Sequence, residues 1–220
     1  MNFEAVIFDL DGTLIDSMGV WLQVDYEFLG KRNIPVPENL FEDVVGGNSF
    51  VEVAQFFKEK FKLKESVESI MNEWTAMVET HYKNDVKLKP GVLKLLKLLD
   101  KNNIKIGVGT SNSCHLAKTV LLSNNVIEYF GSIVDGKNDI KGKPFPDIFL
   151  KAAYELKVKP EKCIVIEDVL VGVKAAKNAG MKAFAIYDEH AVREEKEIRK
   201  TVDFYAENFE QIIEKLGFKN

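Results

Sequence analysis

The residues best suited to chemistry lie near the start of the chain, where Asp9 and Asp11 follow the apolar run 5–8. Such a run predicts a buried strand that ends at Asp9. Side chains at i and i+2 of an extended chain point the same way, so both carboxylates are expected on one side, with Leu10 facing away and Gly12 permitting a sharp turn. Two carboxylates this close repel each other unless a cation or a shared proton relieves the repulsion. The pair indicates either a reactive or metal-binding site or a solvated turn at a strand end.

Two other predicted strands also end on polar residues. In an open parallel sheet, ligands bind beyond the carboxyl ends of the strands, so residues with a shared task are expected at several strand exits. Hydroxyls at such a position can cap a helix, and hydroxyls and backbone N–H groups there also suit a phosphate. The polar residues are Thr110, Ser111 and Asn112 after the run 104–109, and Glu167 and Asp168 at the end of the run 163–167.

A lysine, Lys143, stands between Gly142 and Pro144, and Pro146 follows closely. A lone lysine is most often a solvated surface residue. Here the two prolines stiffen the segment after it and fix its direction. An ammonium anchored in this way can neutralise the surroundings of a nucleophile and a transferring phosphoryl group.

Taken together, these groups resemble the four motifs of the haloacid dehalogenase (HAD) superfamily of phosphotransferases. The string DLDGTL from Asp9 resembles the nucleophile motif, Thr110 stands at the second motif, and GKPFPD around Lys143 resembles the third. The string IEDVLVGVKAAKNAGM resembles the acidic metal motif. Val169 departs from the pattern, because many relatives have a polar residue there. The role of Glu167 and the effect of Val169 stay open at this point.

The resemblance implies metal-dependent phosphoryl transfer. In the family pattern the first aspartate, here Asp9, attacks phosphorus, and the second, Asp11, moves the proton. The oxygen-rich set without His or Cys suits Mg²⁺, with Asp9 and Asp168 as side-chain ligands and the backbone carbonyl of Asp11 as a third by resemblance. The expected substrate-binding residues are Thr110, Ser111, Asn112 and Lys143, and in the cap Gly47 and Asn48.

The remainder of the chain predicts elements that can position these residues. Segments with helical apolar spacing fill residues 16–87, and later short apolar runs alternate with helices, which predicts a parallel sheet covered on both faces. The expected fold is α/β, a Rossmann-like parallel-sheet core with an inserted α-helical cap domain, as in the β-phosphoglucomutase-like branch of the family. The core is predicted over 1–15 and 88–220 and the cap over 16–87. Trp21 and Trp74 fall in the cap and are expected in its apolar core.

The composition argues against several classes of partner. The 220 residues carry a formal net charge of −4 and no basic run of the kind that nucleic acid or an anionic membrane requires. No apolar run approaches the roughly 18 residues of a membrane span, and the first strand begins almost at Met1 without a leader. The two cysteines, Cys114 and Cys163, are far apart. A cytoplasmic monomer is expected, with a small-molecule phosphomonoester as its partner.

Within the family, the open question is which acceptor takes the phosphoryl group. A phosphatase gives it to water, whereas a sugar phosphomutase returns it to a sugar and needs a cation in the cap for a second phosphate. The mutases carry an Arg close after the cap-loop glycine and a His in the first cap helix. Here no Arg closely follows Gly47, Trp21 stands at the His position, and the single cap arginine, Arg32, lies elsewhere. The sequence therefore favours a phosphatase acting on a small sugar phosphate, with a β-phosphoglucomutase-type mutase as the alternative.

Two other readings are disfavoured by residues that the chain retains. Dehalogenases lack the second acidic residue of the first motif, and phosphonatases have a smaller residue there, whereas this chain has Asp11. A non-catalytic binding module is disfavoured because Asp9, Lys143 and Asp168 are all present.

Overall fold

A central sheet organises the computed structural model, which describes residues 3–37, 40, 50–136 and 140–218. The sheet has six parallel strands in the order β3-β2-β1-β4-β5-β6. These strands are β1 (Ala5–Phe8), β2 (Lys105–Gly109), β3 (Ser132–Val134), β4 (Cys163–Glu167), β5 (Lys182–Ile186) and β6 (Phe204–Ala206).

Helices follow each of the six strands. Between β1 and β2 lie α1 (Met18–Gly30), α2 (Phe50–Lys60) and α3 (Val67–Asn84), here called the cap helices, and then α4 (Val92–Lys101). The later helices are α5 (Cys114–Ser123), α6 (Asp147–Leu156), α7 (Leu170–Asn178), α8 (Glu195–Thr201) and α9 (Phe209–Lys215), with 3-10 helices at Ile127–Tyr129, Pro160–Lys162 and Glu189–Glu194. The predicted α/β fold is confirmed, and the domain division at residues 16 and 87 stays a prediction.

The central strand β1 is buried on both faces, which explains its unbroken apolar sequence. Val6 and Phe8 pack into the hydrophobic cluster that contains the cap helices, α4, α5 and α9. Ala5 and Ile7 point to the opposite face and join the cluster that contains α6, α7 and α8. Alternation of side chains along an extended strand produces this division. The strand is thereby fixed on both sides, and the position at which it ends is fixed with it.

The cap helices have an aromatic core. The ring of Trp74 lies 5.4 Å from that of Phe28 and 4.9 Å from that of Phe57, centroid to centroid, with the rings steeply inclined as aromatic pairs prefer. Trp74 is buried, as expected from its helical spacing. Arg32 follows α1 in the chain, and its guanidinium carbon lies 3.7 Å from the centroid of the Phe28 ring.

Within the described ranges, no helix is both long enough and apolar enough to cross a membrane. The cytoplasmic location and the monomeric state stay predictions.

Candidate active site

The carboxyl ends of β1, β2 and β4 lie at one edge of the sheet. Phe8, the last residue of β1, is paired in register with Val108 of β2 and Ile166 of β4. The polar residues that follow these strands are therefore brought to the same level of the sheet. Asp9 comes directly after β1 and Asp168 directly after β4. This is the edge at which open parallel sheets bind their ligands.

Lys143 lies buried between two carboxylates. Its Nζ donates hydrogen bonds to Oδ1 of Asp9 and, at 2.5 Å, to Oε1 of Glu167. Burial lowers the pKa of Lys143, but the attraction of Asp9 and Glu167 outweighs this effect and raises the pKa above its usual range. The structure thus places the predicted lysine as a permanent cation beside the predicted nucleophile.

Asp9 is almost inaccessible to solvent, and its environment sets the charge of its carboxyl group. Burial raises the pKa of Asp9 to about 8; Lys143 opposes this shift and Glu167 reinforces it. Lys143 binds Oδ1 of Asp9, and no hydrogen-bond donor among the described residues contacts Oδ2. This oxygen is therefore available for attack, and additional positive charge nearby would keep it ionised.

Glu167, whose role the sequence leaves open, positions the other groups. Its Oε2 accepts hydrogen bonds from the backbone N–H groups of Asp168 at 2.8 Å and Val169 at 3.0 Å, while Oε1 accepts from Lys143. Gly172 of α7 makes room for this carboxylate, since a Cβ there would lie only 1.7 Å from Oε1. Val169 contributes a backbone N–H, which most residue types can supply. Its departure from the family pattern therefore does not weaken this contact.

Asp168 is held in place by residues of the loop after β1. The hydroxyl of Thr13 donates to Oδ1 of Asp168 at 2.6 Å. Gly12 has a φ of +79°, and a Cβ on it would lie 2.3 Å from Oδ2 of Asp168. Both the backbone conformation and the close approach therefore require glycine at this turn.

The carboxylates of Asp9, Glu167 and Asp168 form an acidic cluster in which one oxygen of each lies within 4.8 Å of the others. Burial, and then the neighbouring Glu167 and Asp9, raise the pKa of Asp168 well above its usual range. Three acidic groups face the single ammonium of Lys143, so this all-oxygen set fits a hard divalent cation such as Mg²⁺. Both oxygens of Glu167 already accept hydrogen bonds, which leaves Asp9 and Asp168 as the stronger candidates for ligands. The side chain of Asp11 is not in the cluster, and its backbone carbonyl as a ligand stays a prediction.

The carboxylate of Asp11 faces the cap helices. Its Oδ1 accepts hydrogen bonds from Ser17 Oγ at 2.5 Å, from Trp21 Nε1 at 3.2 Å and from the hydroxyl of Tyr82. Its Oδ2 accepts from Asn112 Nδ2 at 3.0 Å. Burial and the adjacent Asp11 raise the pKa of Tyr82 well above its usual range, so the phenol keeps its proton. Asp9 and Asp11 are thus near each other but have different partners.

Several of these contacts were not predicted from the sequence. The half-buried ring of Trp21 packs against the apolar core, as expected, but its indole N–H also reaches Asp11, a contact that the sequence did not predict. Ser17 stands at the start of α1, where a serine ordinarily caps the helix; its side chain makes no capping bond and donates to Asp11. Tyr82 occupies an apolar position of α3, and only its hydroxyl reveals the polar role.

The loop after β2 supplies a second set of polar groups. Thr110 Oγ1 accepts the backbone N–H of Asn112 at 3.0 Å, and Asn112 Oδ1 accepts the backbone N–H of Ser113 at 2.7 Å. Ser113, not Thr110 or Ser111, caps α5 with its side chain. The backbone carbonyl of Ser111 accepts the N–H of Phe50, which joins this loop to the cap helix α2. The predicted residues Thr110, Ser111 and Asn112 therefore stand at the strand exit without serving as helix caps.

Two predicted cap residues, Gly47 and Asn48, lie outside the described residues. Among the described residues, a small pocket opens between the cap helices and the loop after β2. It is lined by Phe50, Val51 and Met71 from the cap helices, by residues 111–113, and by Gly136.

Comparison with known proteins places this site in a family. The family model of haloacid dehalogenase-like hydrolases matches residues 6–186, which include Asp9, Lys143 and Asp168. The chain belongs to this family of enzymes.

Individual relatives agree with the family assignment. The chain is 31% identical over 179 residues to a phosphorylated carbohydrates phosphatase of Thermotoga maritima, covering 81% of this chain and 82% of that protein. It is 34% identical over 211 residues to a beta-phosphoglucomutase of Bacillus subtilis, covering 83% of each. The crystal structure of beta-phosphoglucomutase from Clostridium difficile superposes with a TM-score of 0.81 and 27% identity, over 97% of this chain and 95% of that one. The resemblance to the β-phosphoglucomutase-like branch of the superfamily is confirmed.

Proposed function

We propose that the protein is a Mg²⁺-dependent phosphoric monoester hydrolase that cleaves a small phosphomonoester, expected to be a sugar phosphate, through an aspartyl-phosphate on Asp9. The observation that carries this proposal is the geometry of Asp9. One oxygen of its carboxylate accepts a hydrogen bond from Lys143, the other has no donor among the described residues, and the carboxylate belongs to the acidic cluster. The similarity to a phosphatase of phosphorylated carbohydrates supports the substrate class.

In the first half of the reaction, an oxygen of Asp9 attacks phosphorus and the bond from phosphorus to the leaving oxygen breaks. The electron pair of the broken bond goes to the leaving oxygen, which takes a proton from Asp11. The Lys143 ammonium and the groups after β2, among them Thr110 and Ser111, stabilise the charge on the phosphoryl oxygens. Positioning and electrostatic stabilisation of this kind provide most of the catalysis in phosphoryl transfer.

In the second half, water attacks the phosphorus of the aspartyl-phosphate and gives its proton to Asp11. The carboxylate of Asp9 is released, inorganic phosphate leaves, and Asp11 is again protonated for the next cycle. Asp11 thus acts as the acid in one half and as the base in the other.

The metal is expected on Asp9 and Asp168, with the backbone carbonyl of Asp11 as a third ligand. When bound, Mg²⁺ would supply positive charge that offsets the repulsion between these carboxylates and a phosphate dianion. Thr13 holds Asp168 in place for this task, and Glu167 holds the backbone of the same loop.

A sugar phosphomutase is the second candidate, because the chain is similar to two beta-phosphoglucomutases. The contacts of Arg32 argue against it. This arginine donates to Glu65 at 2.9 Å and to Glu73 at 2.5 Å, and it stacks over Phe28. Its charge is therefore engaged within the cap and is not directed toward a second phosphate. The Asn48 position, after the cap-loop glycine, lies outside the described residues.

The proposal is tested by measuring phosphate release from a panel of phosphomonoesters with and without Mg²⁺. The wild type is compared with Asp9→Asn and with Asp100→Asn, an exposed aspartate at the end of α4 that serves as the matched control. Metal-dependent release that is lost in Asp9→Asn and kept in Asp100→Asn is the expected result.

The panel includes the β-anomer of glucose 1-phosphate together with its bisphosphate activator. Conversion to glucose 6-phosphate without comparable phosphate release would favour the mutase. No turnover with any substrate would contradict both candidates and favour a binding module.

A further inference from the structure

The carboxylate of Asp11 is held by donors from two parts of the molecule. Tyr82 of α3 and Trp21 of α1 belong to the cap helices, whereas Asn112 belongs to the loop after β2. The proposed chemistry requires Asp11 but gives no task to Tyr82 or Trp21. Both side chains nevertheless reach across the boundary between the cap helices and the sheet to contact it.

The hydrogen-bond network fixes the direction of the Tyr82 hydroxyl. Its oxygen accepts hydrogen bonds from Trp21 Nε1 at 3.0 Å and from Asn112 Nδ2 at 3.1 Å. With both donors pointing at the oxygen, the single phenolic proton is left to be donated to Oδ1 of Asp11. Tyr82 is fully buried, so water does not compete for this proton. Neutral and buried, the hydroxyl is a directed donor.

The two oxygens of Asp11 are occupied unequally. Oδ1 accepts from Ser17 and Tyr82 and also receives the single N–H of Trp21, which it shares with the Tyr82 oxygen, whereas Oδ2 accepts from Asn112 alone among the described residues. A carboxyl oxygen that accepts one hydrogen bond can still carry or receive a proton. Oδ1, with three donors, has no such capacity left. The environment therefore distinguishes two oxygens that are chemically equivalent in a free carboxyl group.

We infer that Tyr82 is a positioning residue that, with Trp21, fixes Oδ1 of Asp11 and leaves Oδ2 as the oxygen that exchanges the proton. This inference rests on the proposed phosphatase function and assigns the proton-carrying atom within it. In the first half of the reaction, the proton on Oδ2 passes to the leaving oxygen as its bond to phosphorus breaks. In the second half, water returns a proton to Oδ2. Because Tyr82 and Trp21 lie on the cap helices, the orientation of the acid depends on where those helices sit.

The test compares substrates whose leaving groups differ in their need for a proton. A sugar alkoxide requires protonation as it leaves, whereas p-nitrophenolate does not. The measured quantity is kcat/KM, which reports the steps up to leaving-group departure and not the later attack of water. For Tyr82→Phe we expect kcat/KM to fall by about tenfold to hundredfold with glucose 6-phosphate and by less than about threefold with p-nitrophenyl phosphate.

Two further variants accompany Tyr82→Phe. Trp21→Phe removes the other cap donor and should show the same substrate-dependent loss, which keeps the test decisive if one variant does not fold. Tyr154→Phe, which removes the hydroxyl of a tyrosine that is 78% exposed, should leave both values unchanged. Thermal unfolding of each variant is measured alongside.

The outcomes separate this inference from the proposed function. Equal losses with both substrates in Tyr82→Phe and Trp21→Phe would show a merely structural role and would overturn the inference while the wild type remained a phosphatase. If the wild type hydrolysed no phosphomonoester of the panel, the proposed function would fail, whatever the variants did. A selective loss with the sugar phosphate, matched in direction by Asp11→Asn, supports both.

Discussion

Replacing Gly172 by alanine should destabilise the protein, although alanine ordinarily stabilises a helix. Gly172 lies within α7, and its Cβ would stand 1.7 Å from Oε1 and 2.6 Å from Oε2 of Glu167. Atoms cannot approach this closely, so the Glu167 carboxylate would have to move. It would then release the ammonium of Lys143 and the backbone N–H groups of Asp168 and Val169.

The size of the effect follows from these contacts. Breaking a buried ion pair costs about 3–5 kcal/mol of the free energy of unfolding, because a charge is left without its partner. The helix gains about 1 kcal/mol from replacing glycine with alanine. The net loss is then about 2–4 kcal/mol, and in a chain of 220 residues each kcal/mol lowers Tm by about 2–4 °C. We expect Tm to fall by about 5–15 °C and phosphatase activity to fall with it, since Lys143 also orients Asp9.

Thermal and urea unfolding followed by circular dichroism measure this change. Gly19→Ala in α1 is the matched control, because it is also a helical glycine but its Cβ would meet no atom within 4 Å. Its stability should be unchanged or higher. In a Glu167→Asp background, whose shorter side chain leaves more space, Gly172→Ala should cost less by about 1 kcal/mol or more. A Gly172→Ala protein with wild-type Tm and full activity would refute the reasoning.

Three further predictions concern single residues. Gly12→Ala should lower kcat about hundredfold, because its Cβ would lie 2.3 Å from Oδ2 of Asp168 at a φ of +79°; unchanged steady-state kinetics would contradict this. Arg32→Lys removes the bidentate hydrogen bonding to Glu73. It should lower the free energy of unfolding by about 1 kcal/mol, measured by thermal unfolding, without changing kcat. Burial raises the pKa of Asp25 to about 7 from 3.8, so the unfolded chain ionises first and wild-type stability falls as pH rises between these values. Asp25→Asn should therefore raise Tm more at pH 8 than at pH 5, and an equal change at both pH values would contradict the raised pKa of Asp25.

The sequence by itself was sufficient to predict the strands and to identify the polar residues that follow them. The runs 5–8 and 163–167, predicted from apolar continuity, coincide with β1 and β4. Continuous apolar runs are typical of strands buried on both faces, and a run of apolar residues can be recognised from the local sequence. Because parallel strands share one carboxyl edge, the positions of Asp9 and Asp168 could be deduced without knowing the packing of the helices.

Only the tertiary structure decided which atoms meet at that edge. The hydroxyl of Tyr82 contacts Asp11 across 71 positions of sequence, and Trp21, expected in the apolar core, donates to the same carboxylate. Ser17 looks like a helix cap from its position, yet it bonds to Asp11 instead. The role of Glu167 follows from its contact with Lys143, which the sequence did not predict. Apolar periodicity determines which face of an element is buried, but the partner of each polar atom depends on how distant elements pack against that face.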